Sequence, residues 1–330
     1  MLMNYSESKK VFEKLFNHEM SDTQMRDFMV SLKLDGTTLV DTIAAAASVM
    51  RSHALPLHVD NELRPKLLDI VGTGGDKIGS FNISSTVAVL CASAGCFVAK
   101  HGSRSVTSKS GSADMFEKLG VRLDLSLENS AKLLEETGFT FMFAQNHHPA
   151  MKFIMPVRKS ISEKTIFNIL GPLTNPAHVE KTMLGVFDKA FVPKMAEALK
   201  INNTKSALVV SSRENMDEIS ISDITYAARL LDNQVEEFEI DPLNYGIKRA
   251  PLEAIVGGDA QFNACIVHKI FKGEATEAQR DIVYINAAAS LVVDGKARDF
   301  KDGLEIVDET IKTKKAMKKL EFIVKVSNSL

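Results

Sequence analysis

Two loops of this 330-residue sequence carry residue types that bind phosphate groups. The first is rich in glycine between Gly72 and Gly79, and it then reaches Asn82, Ser84 and Ser85. Glycine lets a backbone turn tightly and approach a ligand, and the amides at the start of a helix attract an anion. The spacing fits neither the P-loop nor the dinucleotide-binding fingerprint. By itself, this loop is therefore also compatible with a strand-to-helix turn that binds nothing.

A second loop of the same kind follows further along the chain. It runs from Lys100 to Ser112 and combines the cations Lys100, Arg104 and Lys109 with serine and threonine hydroxyls. Cations, hydroxyls and loop amides together can bind a phosphate or the far end of a pyrophosphate. The presence of two such loops indicates a phosphate site more strongly than either loop alone.

Each loop follows a short apolar run that is typical of a buried parallel strand. The runs are 67–71 and 96–99, and helix-like sequence follows each loop. Ligands of open α/β sheets bind at the carboxyl ends of the strands, which is where both loops fall. Asn82 and the serines after it are favoured helix caps, so they are predicted to begin a helix over 87–92.

The order of strand and helix patterns predicts two domains. From residue 66 the patterns alternate, which indicates an α/β domain with a mostly parallel, mixed sheet flanked by helices. Residues 1–65 predict a small all-helical N-terminal domain, in which Ser21 or Asp22 caps the second helix. The expected division is therefore 1–65 and 66–330, with a polar linker around Pro56.

Further elements are predicted within the larger domain. They are helices over 115–119, 129–137 and 151–170, strands over 139–144, 183–187 and 207–210, and a hairpin pairing 225–231 with 235–240. From about Leu252 onward the chain is predicted to be largely helical.

Composition restricts the class of protein. With 45% hydrophobic and 25% charged residues, the chain resembles soluble globular proteins. Its formal net charge of −2 gives no overall attraction to nucleic acid or to an acidic membrane surface. Cys91, Cys96 and Cys265 fit neither a zinc motif nor a disulfide framework. Because a membrane span and a signal-peptide pattern are also missing, we expect a cytoplasmic protein without nucleic-acid or membrane partners.

Several longer motifs resemble the signature sequences of anthranilate phosphoribosyltransferases, in the same order and over nearly the whole chain. They are GTGGD at 72–76, NISS at 82–85, KHGSR at 100–104, SGSAD at 110–114, FAQ at 143–145, HPAMK at 148–152, FNILGPLTNP at 167–176 and DEIS at 217–220. The resemblance implies a fold of the nucleoside phosphorylase/phosphoribosyltransferase type and a homodimer formed through the N-terminal helices. It also implies the reaction, in which anthranilate displaces pyrophosphate from phosphoribosyl pyrophosphate during tryptophan biosynthesis.

The resemblance further implies a binding site for phosphoribosyl pyrophosphate. By that resemblance the site consists of Gly72, Gly75, Asp76, Ser80, Asn82, Ile83, Ser84, Ser85, Lys100, His101, Gly102, Ser103, Arg104, Ser105, Val106, Thr107, Ser108 and Ser112. Two magnesium ions are implied, one at Ser84 and one at Asp217 and Glu218, and Mg²⁺ favours such oxygen ligands. Judged by spacing alone, an adjacent Asp-Glu pair is more commonly an exposed acidic turn.

The anthranilate site implied by the resemblance is made of Gly72, His101, Ser103, His148, Arg158 and Pro172. A guanidinium suits the carboxylate of anthranilate, although a single arginine on a helix is commonly a surface residue. For His147 and His148, ligand contact or simple exposure fits better than a metal site. The aromatic amine is neutral at pH 7, so no general base is assigned. Lys100 and His101 are candidates for electrostatic assistance.

Two positions depart from the family pattern. The family usually has Asn at the position of Ser103 and Thr at the position of Ser85, and the missing amide at Ser103 bears on anthranilate recognition.

Two alternative functions are considered. Pyrimidine nucleoside phosphorylases share a Gly-rich first loop and a helical N-terminal domain. Some catalytically inactive relatives bind nucleic acid through basic surfaces. The balanced charge of this chain argues against that alternative, and so does the retention of Asp217, Glu218 and Arg158.

Overall fold

The computed structural model describes residues 3–32, 34, 38–105 and 109–330. Three of the predicted site residues, Val106, Thr107 and Ser108, lie outside the described residues.

A seven-stranded sheet forms the centre of the described chain. Its strands are β1 (Leu67–Gly72), β2 (Phe97–Gly102), β3 (Phe139–Phe143), β4 (Lys181–Gly185), β5 (Ser206–Ser212), β6 (Thr225–Leu231) and β7 (Gln234–Ile240). The strand order is β3-β2-β1-β4-β5-β6-β7, with parallel pairing from β3 to β5 and antiparallel pairing from β5 to β7. The prediction of a mostly parallel, mixed sheet is confirmed. Because β1 and β2 are parallel neighbours, the loops that follow them emerge at the same edge.

Helices cover both faces of the sheet. They are α1 (Tyr5–Phe16), α2 (Asp22–Ser31), α3 (Val40–Ser52), α4 (Ile83–Ser93), α5 (Ser112–Lys118), α6 (Leu127–Thr137), α7 (Ala144–His147), α8 (Met151–Lys159), α9 (Phe167–Leu170), α10 (Val192–Ile201), α11 (Ala260–Lys272), α12 (Glu277–Asp294), α13 (Phe300–Lys312) and α14 (Lys315–Ser329). None of the helices in the described ranges is long and apolar enough to cross a membrane.

Local sequence explains several of the element boundaries. The side chain of Ser21 accepts a hydrogen bond from the amide of Gln24, so Ser21 caps α2 as predicted. Gly138 ends α6 with a φ of 74°, a conformation that glycine adopts without strain. Asp232 and Asn233 both have positive φ between β6 and β7, which matches the twist of a two-residue hairpin turn. The predicted hairpin is therefore confirmed.

The prediction of one helix over 151–170 is wrong. The chain instead forms α8 and α9, separated by residues 160–166. Ser160 closes the end of α8, and its hydroxyl donates a hydrogen bond to the carbonyl of Val157. The side chain of Asn168 then accepts a hydrogen bond from the amide of Thr165 at 2.8 Å. Local polar side chains thus satisfy backbone groups that a continuous helix would pair, and the helix divides.

Alternating side chains of the strands pack into two hydrophobic clusters on opposite faces of the sheet. One contains Ile70 and Leu208 with residues of α4, α11 and α12. The other contains Val71 and Val209 with residues of the N-terminal helices, α8, α9 and α10. The N-terminal helices therefore share a core with the segment that carries Arg158.

Candidate active site

An acidic pair from the loop after β5 reaches the first phosphate-binding loop. The amide of Gly74 donates to Oδ2 of Asp217 at 2.7 Å, and the amide of Ser84 donates to Oε1 of Glu218 at 3.0 Å. Both carboxylates are partly buried. The structure therefore brings Asp217 and Glu218 to the loop that the sequence predicts to bind phosphate, instead of leaving them in a remote exposed turn.

Close packing and a buried amide fix the position of this acidic pair. A Cβ atom at Gly72 would overlap Oδ2 of Asp217, and one at Gly185 would overlap its backbone carbonyl. Behind the pair, Asn286 of α12 accepts from the amide of Ile219 at 2.9 Å and donates to its carbonyl at 2.9 Å. Neither Gly185 nor Asn286 was predicted from the sequence. Asn286 leaves a signal, because it is a polar residue inside the apolar part of a helical sequence.

Burial and mutual repulsion disfavour the charged forms of the acidic pair. Burial, and then the neighbouring Asp76, raise the pKa of Asp217 to about 7. Burial and the charge of Asp217 raise the pKa of Glu218 well above its ordinary value, while Lys100 acts in the opposite direction. Crowded carboxylates of this kind provide hard oxygen ligands, and a divalent cation would relieve their repulsion. In the described part of the chain, no group of three or more His, Cys, Asp or Glu side chains could hold a metal ion by itself.

Lys100 lies beneath the start of α4, buried near the end of β2. Its Nζ donates to the carbonyl of Ile70 and to Oγ of Ser84, the latter at 3.4 Å. Burial lowers the pKa of Lys100, and the nearby charges of Asp69, Glu218 and Asp217 counteract that effect. The predicted cation is therefore placed between the first loop and the acidic pair.

A buried network behind Lys100 and His101 was not anticipated. Asp69 of β1 accepts hydrogen bonds from the amide of His101 at 3.2 Å and from Nδ2 of Asn175 at 2.7 Å. Asn175 also donates to the carbonyl of Ala99 at 2.8 Å. Burial raises the pKa of Asp69 to about 6, against the opposing charge of Lys100 and these hydrogen bonds. A carboxylate inside the apolar run of β1 is the sequence signal for this network.

The second loop is folded back onto α5. The guanidinium of Arg104 lies 2.9 Å from Asp114 and 2.6 Å from Glu117. Asp114 also accepts from the amides of Ser105 at 3.1 Å and Gly111 at 2.8 Å. Of the predicted loop cations, Lys100 faces the acidic pair, whereas the charge of Arg104 is already engaged by two carboxylates.

Asn82 joins the two loops, and the predicted cap is wrong in one respect. Asn82 occupies the residue before α4, but its side chain makes no cap hydrogen bond. Its Nδ2 donates to the carbonyl of Ser110 at 3.2 Å, and its Oδ1 accepts from the hydroxyl of Ser110 at 3.2 Å. The amide of Ser84 is used by Glu218 instead. Long-range partners have therefore replaced the local cap.

Two buried histidines face each other beside this site. The Nε2 atoms of His101 and His148 lie 3.3 Å apart, and both rings are almost fully buried. Burial lowers the pKa of His148 to about 4 and that of His101 well below its ordinary value. At neutral pH both rings are uncharged, so one Nε2 donates and the other accepts. The neighbouring His147 is also buried, with Nδ1 2.9 Å from the carbonyl of Leu55, so simple exposure is wrong for both residues.

Arg158 is a partly buried cation near the end of α8. Burial lowers its pKa, its Nη1 lies 4.0 Å from Sδ of Met155, and its guanidinium lies 6.0 Å from the ring centre of Phe167. Within the described ranges, no carboxylate forms an ion pair with Arg158, and no hydrogen bond joins it to His101 or His148. A partly buried guanidinium without a carboxylate partner among the described residues is suited to an incoming carboxylate.

Further predicted residues lie in the first loop, at the start of α4 and in a turn between α9 and β4. Asp76 accepts from the amide of Ile78 at 3.1 Å, and Ser80 forms an antiparallel bridge with Val256. Ile83 and Ser85 are buried in α4, so they support the helix. Pro172 is buried in the turn Gly171–Leu173.

Comparison with known proteins agrees with this geometry. A family model described as "Glycosyl transferase family, a/b domain" matches residues 64–317. The anthranilate phosphoribosyltransferase of Xanthobacter autotrophicus is 43% identical, over 98% of this chain and 92% of its own length. That of Methanobrevibacter smithii is 42% identical, over 99% of this chain and 96% of its own length. The chain belongs to the anthranilate phosphoribosyltransferase family.

Solved structures of the family have the same architecture. The anthranilate phosphoribosyltransferase of Thermus thermophilus superimposes with a TM-score of 0.93 at 36% identity, covering 99% of this chain and 97% of that one. The Saccharomyces cerevisiae enzyme in complex with PRPP and Mg has a TM-score of 0.86 at 26% identity, covering 99% and 93%. As a member of the family, the chain is a phosphoribosyltransferase. The nucleoside phosphorylase and nucleic-acid-binding alternatives are not favoured.

The departure at Ser103 lies at the surface of the anthranilate phosphoribosyltransferase fold. Its hydroxyl donates to the carbonyl of Arg104 at 3.0 Å, and its own carbonyl accepts from the hydroxyl of Ser112 at 3.2 Å. The short side chain is therefore directed at the backbone of the next residue, where the family usually has a longer amide.

Proposed function

We propose that this chain transfers the phosphoribosyl group of phosphoribosyl pyrophosphate to the amine of anthranilate, releasing pyrophosphate, in tryptophan biosynthesis. The observation that carries the proposal is the meeting of Asp217, Glu218 and the buried Lys100 at the first loop and the start of α4. These groups lie where β1 and β2 end, which is the usual ligand edge of an α/β sheet. The relatives named above carry the name of this reaction.

The two loops are proposed to bind the phosphate groups of phosphoribosyl pyrophosphate. Glycines let the backbone of the first loop approach a phosphate closely, and Asn82 fixes the first loop relative to Ser110 of the second. Lys100 supplies a preorganised positive charge, since its Nζ is already held by Ile70 and Ser84. Groups fixed before the reaction stabilise developing charge without having to reorganise.

Two magnesium sites are proposed, one at Ser84 and one at Asp217 and Glu218. When bound, Mg²⁺ neutralises charge on the departing pyrophosphate. Burial and the neighbouring carboxylates raise the pKa values of Asp217 and Glu218, and a bound divalent cation would favour their charged forms. The yeast relative solved with PRPP and Mg supports a role for the ion.

Arg158 is proposed to bind the carboxylate of anthranilate, with Gly72, His101, Ser103, His148 and Pro172 around the substrate. The neutral histidine pair adds no positive charge to a site in which the ribose becomes positive. The amine of anthranilate is itself neutral and attacks without prior deprotonation. Binding and orientation are therefore the main tasks of this half of the site.

A homodimer formed through the N-terminal domain, residues 1–65, and a cytoplasmic location are proposed with this function. The near-neutral net charge of −2 supports a location away from acidic membrane surfaces and nucleic acid. Sedimentation velocity tests the dimer, because a species with the mass of a single 36.2 kDa chain at micromolar concentration would contradict it.

The deciding experiment mixes the purified protein with anthranilate, phosphoribosyl pyrophosphate and magnesium and follows anthranilate fluorescence. The expected result is a decay that requires all three components. A protein that binds phosphoribosyl pyrophosphate but produces no decay would contradict the proposed acceptor. Phosphate-dependent cleavage of thymidine or uridine would favour a nucleoside phosphorylase instead.

A further inference from the structure

A segment outside both phosphate-binding loops, residues 255–263, holds the stretch that leads into α4. The amide of Phe81 donates to the carbonyl of Ile255 at 3.1 Å, and the amide of Gly257 donates to the carbonyl of Gly79 at 2.8 Å. The two backbones are therefore paired immediately before Asn82.

The two segments are packed too closely to slide. A Cβ atom at Gly257 would lie 2.6 Å from Cα of Phe81 and 2.9 Å from Oδ1 of Asn263. Only glycine permits this approach, because any side chain would push the segments apart. The position of Asn263 relative to the first loop is thus set by backbone contact.

Asn263 is 1% exposed and its amide has one orientation. Its Oδ1 accepts a hydrogen bond from the amide of Gly258 at 2.8 Å, so its nitrogen must point the other way. Nδ2 donates to Oδ1 of Asn82 at 2.8 Å. This bond is shorter than either bond between Asn82 and Ser110, which are 3.2 Å each.

The consequence is a directed chain of hydrogen bonds. Gly258 orients Asn263, Asn263 orients Asn82, and Asn82 then presents its own Nδ2 to the carbonyl of Ser110. If the side-chain amide of Asn82 were rotated by half a turn, its Nδ2 would face Nδ2 of Asn263. Both are donors, and a buried donor without an acceptor costs free energy.

We propose that Asn263 is a positioning residue for phosphoribosyl pyrophosphate, because it holds Asn82 in the orientation that joins the two phosphate-binding loops. The inference rests on the proposed function, in which Asn82 belongs to that substrate site. Asn263 acts through Asn82, so its loss affects phosphoribosyl pyrophosphate and leaves the Arg158 side of the site unchanged.

The test compares Asn263→Ala and Asn263→Asp with the wild type. Both remove the donor to Asn82, whereas Asn263→Asp keeps an acceptor for the amide of Gly258. We expect KM for phosphoribosyl pyrophosphate to rise about tenfold in each, as for the loss of one buried hydrogen bond, while KM for anthranilate stays within about twofold. Asn202→Ala is the matched control, because its Nδ2 also donates a long-range hydrogen bond, to the carbonyl of Ala44 at 3.0 Å, but away from the loops.

A double-mutant cycle with Asn82→Ala separates positioning from general stability. If Asn263 acts through Asn82, adding Asn263→Ala to Asn82→Ala leaves KM for phosphoribosyl pyrophosphate unchanged. The same tenfold effect in both backgrounds, or an equal rise in KM for both substrates, would overturn the proposal.

If Asn263→Ala fails to fold, Asn263→Asp decides by the same criteria. A wild-type protein without transferase activity would contradict the proposed function, whereas an active Asn263→Ala variant with unchanged KM would contradict only this inference.

Discussion

The backbone amide of Ser84 donates a 3.0 Å hydrogen bond to the carboxylate of Glu218, which lies 134 residues further along the chain. A negative side chain at the start of α4 is favourable, since the helix dipole is positive there. It also means that any phosphate at this place would meet a protein carboxylate. A cation between the two removes that repulsion, which is why the contact supports a metal-assisted site.

Removing the charge of the acidic pair is expected to impair the use of magnesium. In Asp217→Asn with Glu218→Gln, the side chains keep oxygen acceptors for the amides of Gly74 and Ser84. We expect the magnesium concentration for half-maximal activity to rise at least about tenfold, because each lost carboxylate weakens binding of a hard cation. Without magnesium the variant should be no less stable than the wild type, since two crowded charges are removed.

Activity measured against magnesium concentration checks this expectation, with thermal unfolding measured with and without the ion. Asp223→Asn is the control, since Asp223 lies in the same loop but pairs with Arg213 and Arg249, each at 3.6 Å. An unchanged magnesium profile in the double variant would show that Asp217 and Glu218 only form a turn.

Arg158→Ala is expected to weaken anthranilate binding selectively. A charge-assisted hydrogen bond to a carboxylate contributes about 2 kcal/mol, so KM for anthranilate should rise on the order of thirtyfold while KM for phosphoribosyl pyrophosphate stays nearly constant. Steady-state kinetics with each substrate varied measures both values, and Lys159→Ala, at the exposed neighbour, is the control. Equal weakening of both substrates would refute the assigned role.

Gly185→Ala is expected to disturb the acidic pair through the backbone. The added methyl group would overlap the carbonyl of Asp217, and relief of such overpacking typically costs about 1–3 kcal/mol. Urea unfolding should show this loss, and the magnesium requirement should rise because Asp217 must move. Gly171→Ala is the control, since Gly171 is helical with no atom within 4 Å of the added carbon. Similar stability of the two variants would contradict the packing argument.

His148 is expected to make stability fall in mild acid. Its pKa in the folded protein is about 4, against an ordinary value of 6.5, because burial disfavours the charged ring. Between these two pH values the unfolded chain binds a proton that the folded chain does not. The free energy of unfolding therefore decreases as pH falls through this window, by roughly 3 kcal/mol at its lower end.

Urea unfolding from pH 7 to pH 4 tests this expectation. His148→Gln should lose less stability over that range than the wild type, because it has no ring to protonate. His58→Gln, at an exposed histidine, should behave like the wild type. Identical pH slopes for His148→Gln and the wild type would exclude His148 as the cause.

Much of the fold and the types of residue in the site follow from local sequence. The apolar run of β1, the glycines after it and the turn at Asp232 and Asn233 each determine their backbone through steric preferences of neighbouring residues. Parallel strands then place the loops after β1 and β2 at one edge. The motif that contains Asp217 could likewise be identified from the order of residues alone.

The orientation of individual side chains was decided only by the tertiary structure. Arg104 forms ion pairs with Asp114 and Glu117. Asn82 forms hydrogen bonds with Ser110 and Asn263 in place of a helix cap. Local patterns contain no information about these contacts, because each partner comes from another element brought near by packing of the core.

The sequence by itself thus determined the strands, the loops and the chemistry they can offer. The tertiary structure decided which charges stay available for a ligand and which the protein already uses. Lys100 and Arg104 are both cations of one loop, yet one is buried beside Ser84 and the other is paired at the surface of α5. The physical reason is that a side chain bonds to the polar or charged group that the tertiary fold brings within hydrogen-bond distance. Burial then shifts its pKa and restricts its orientation.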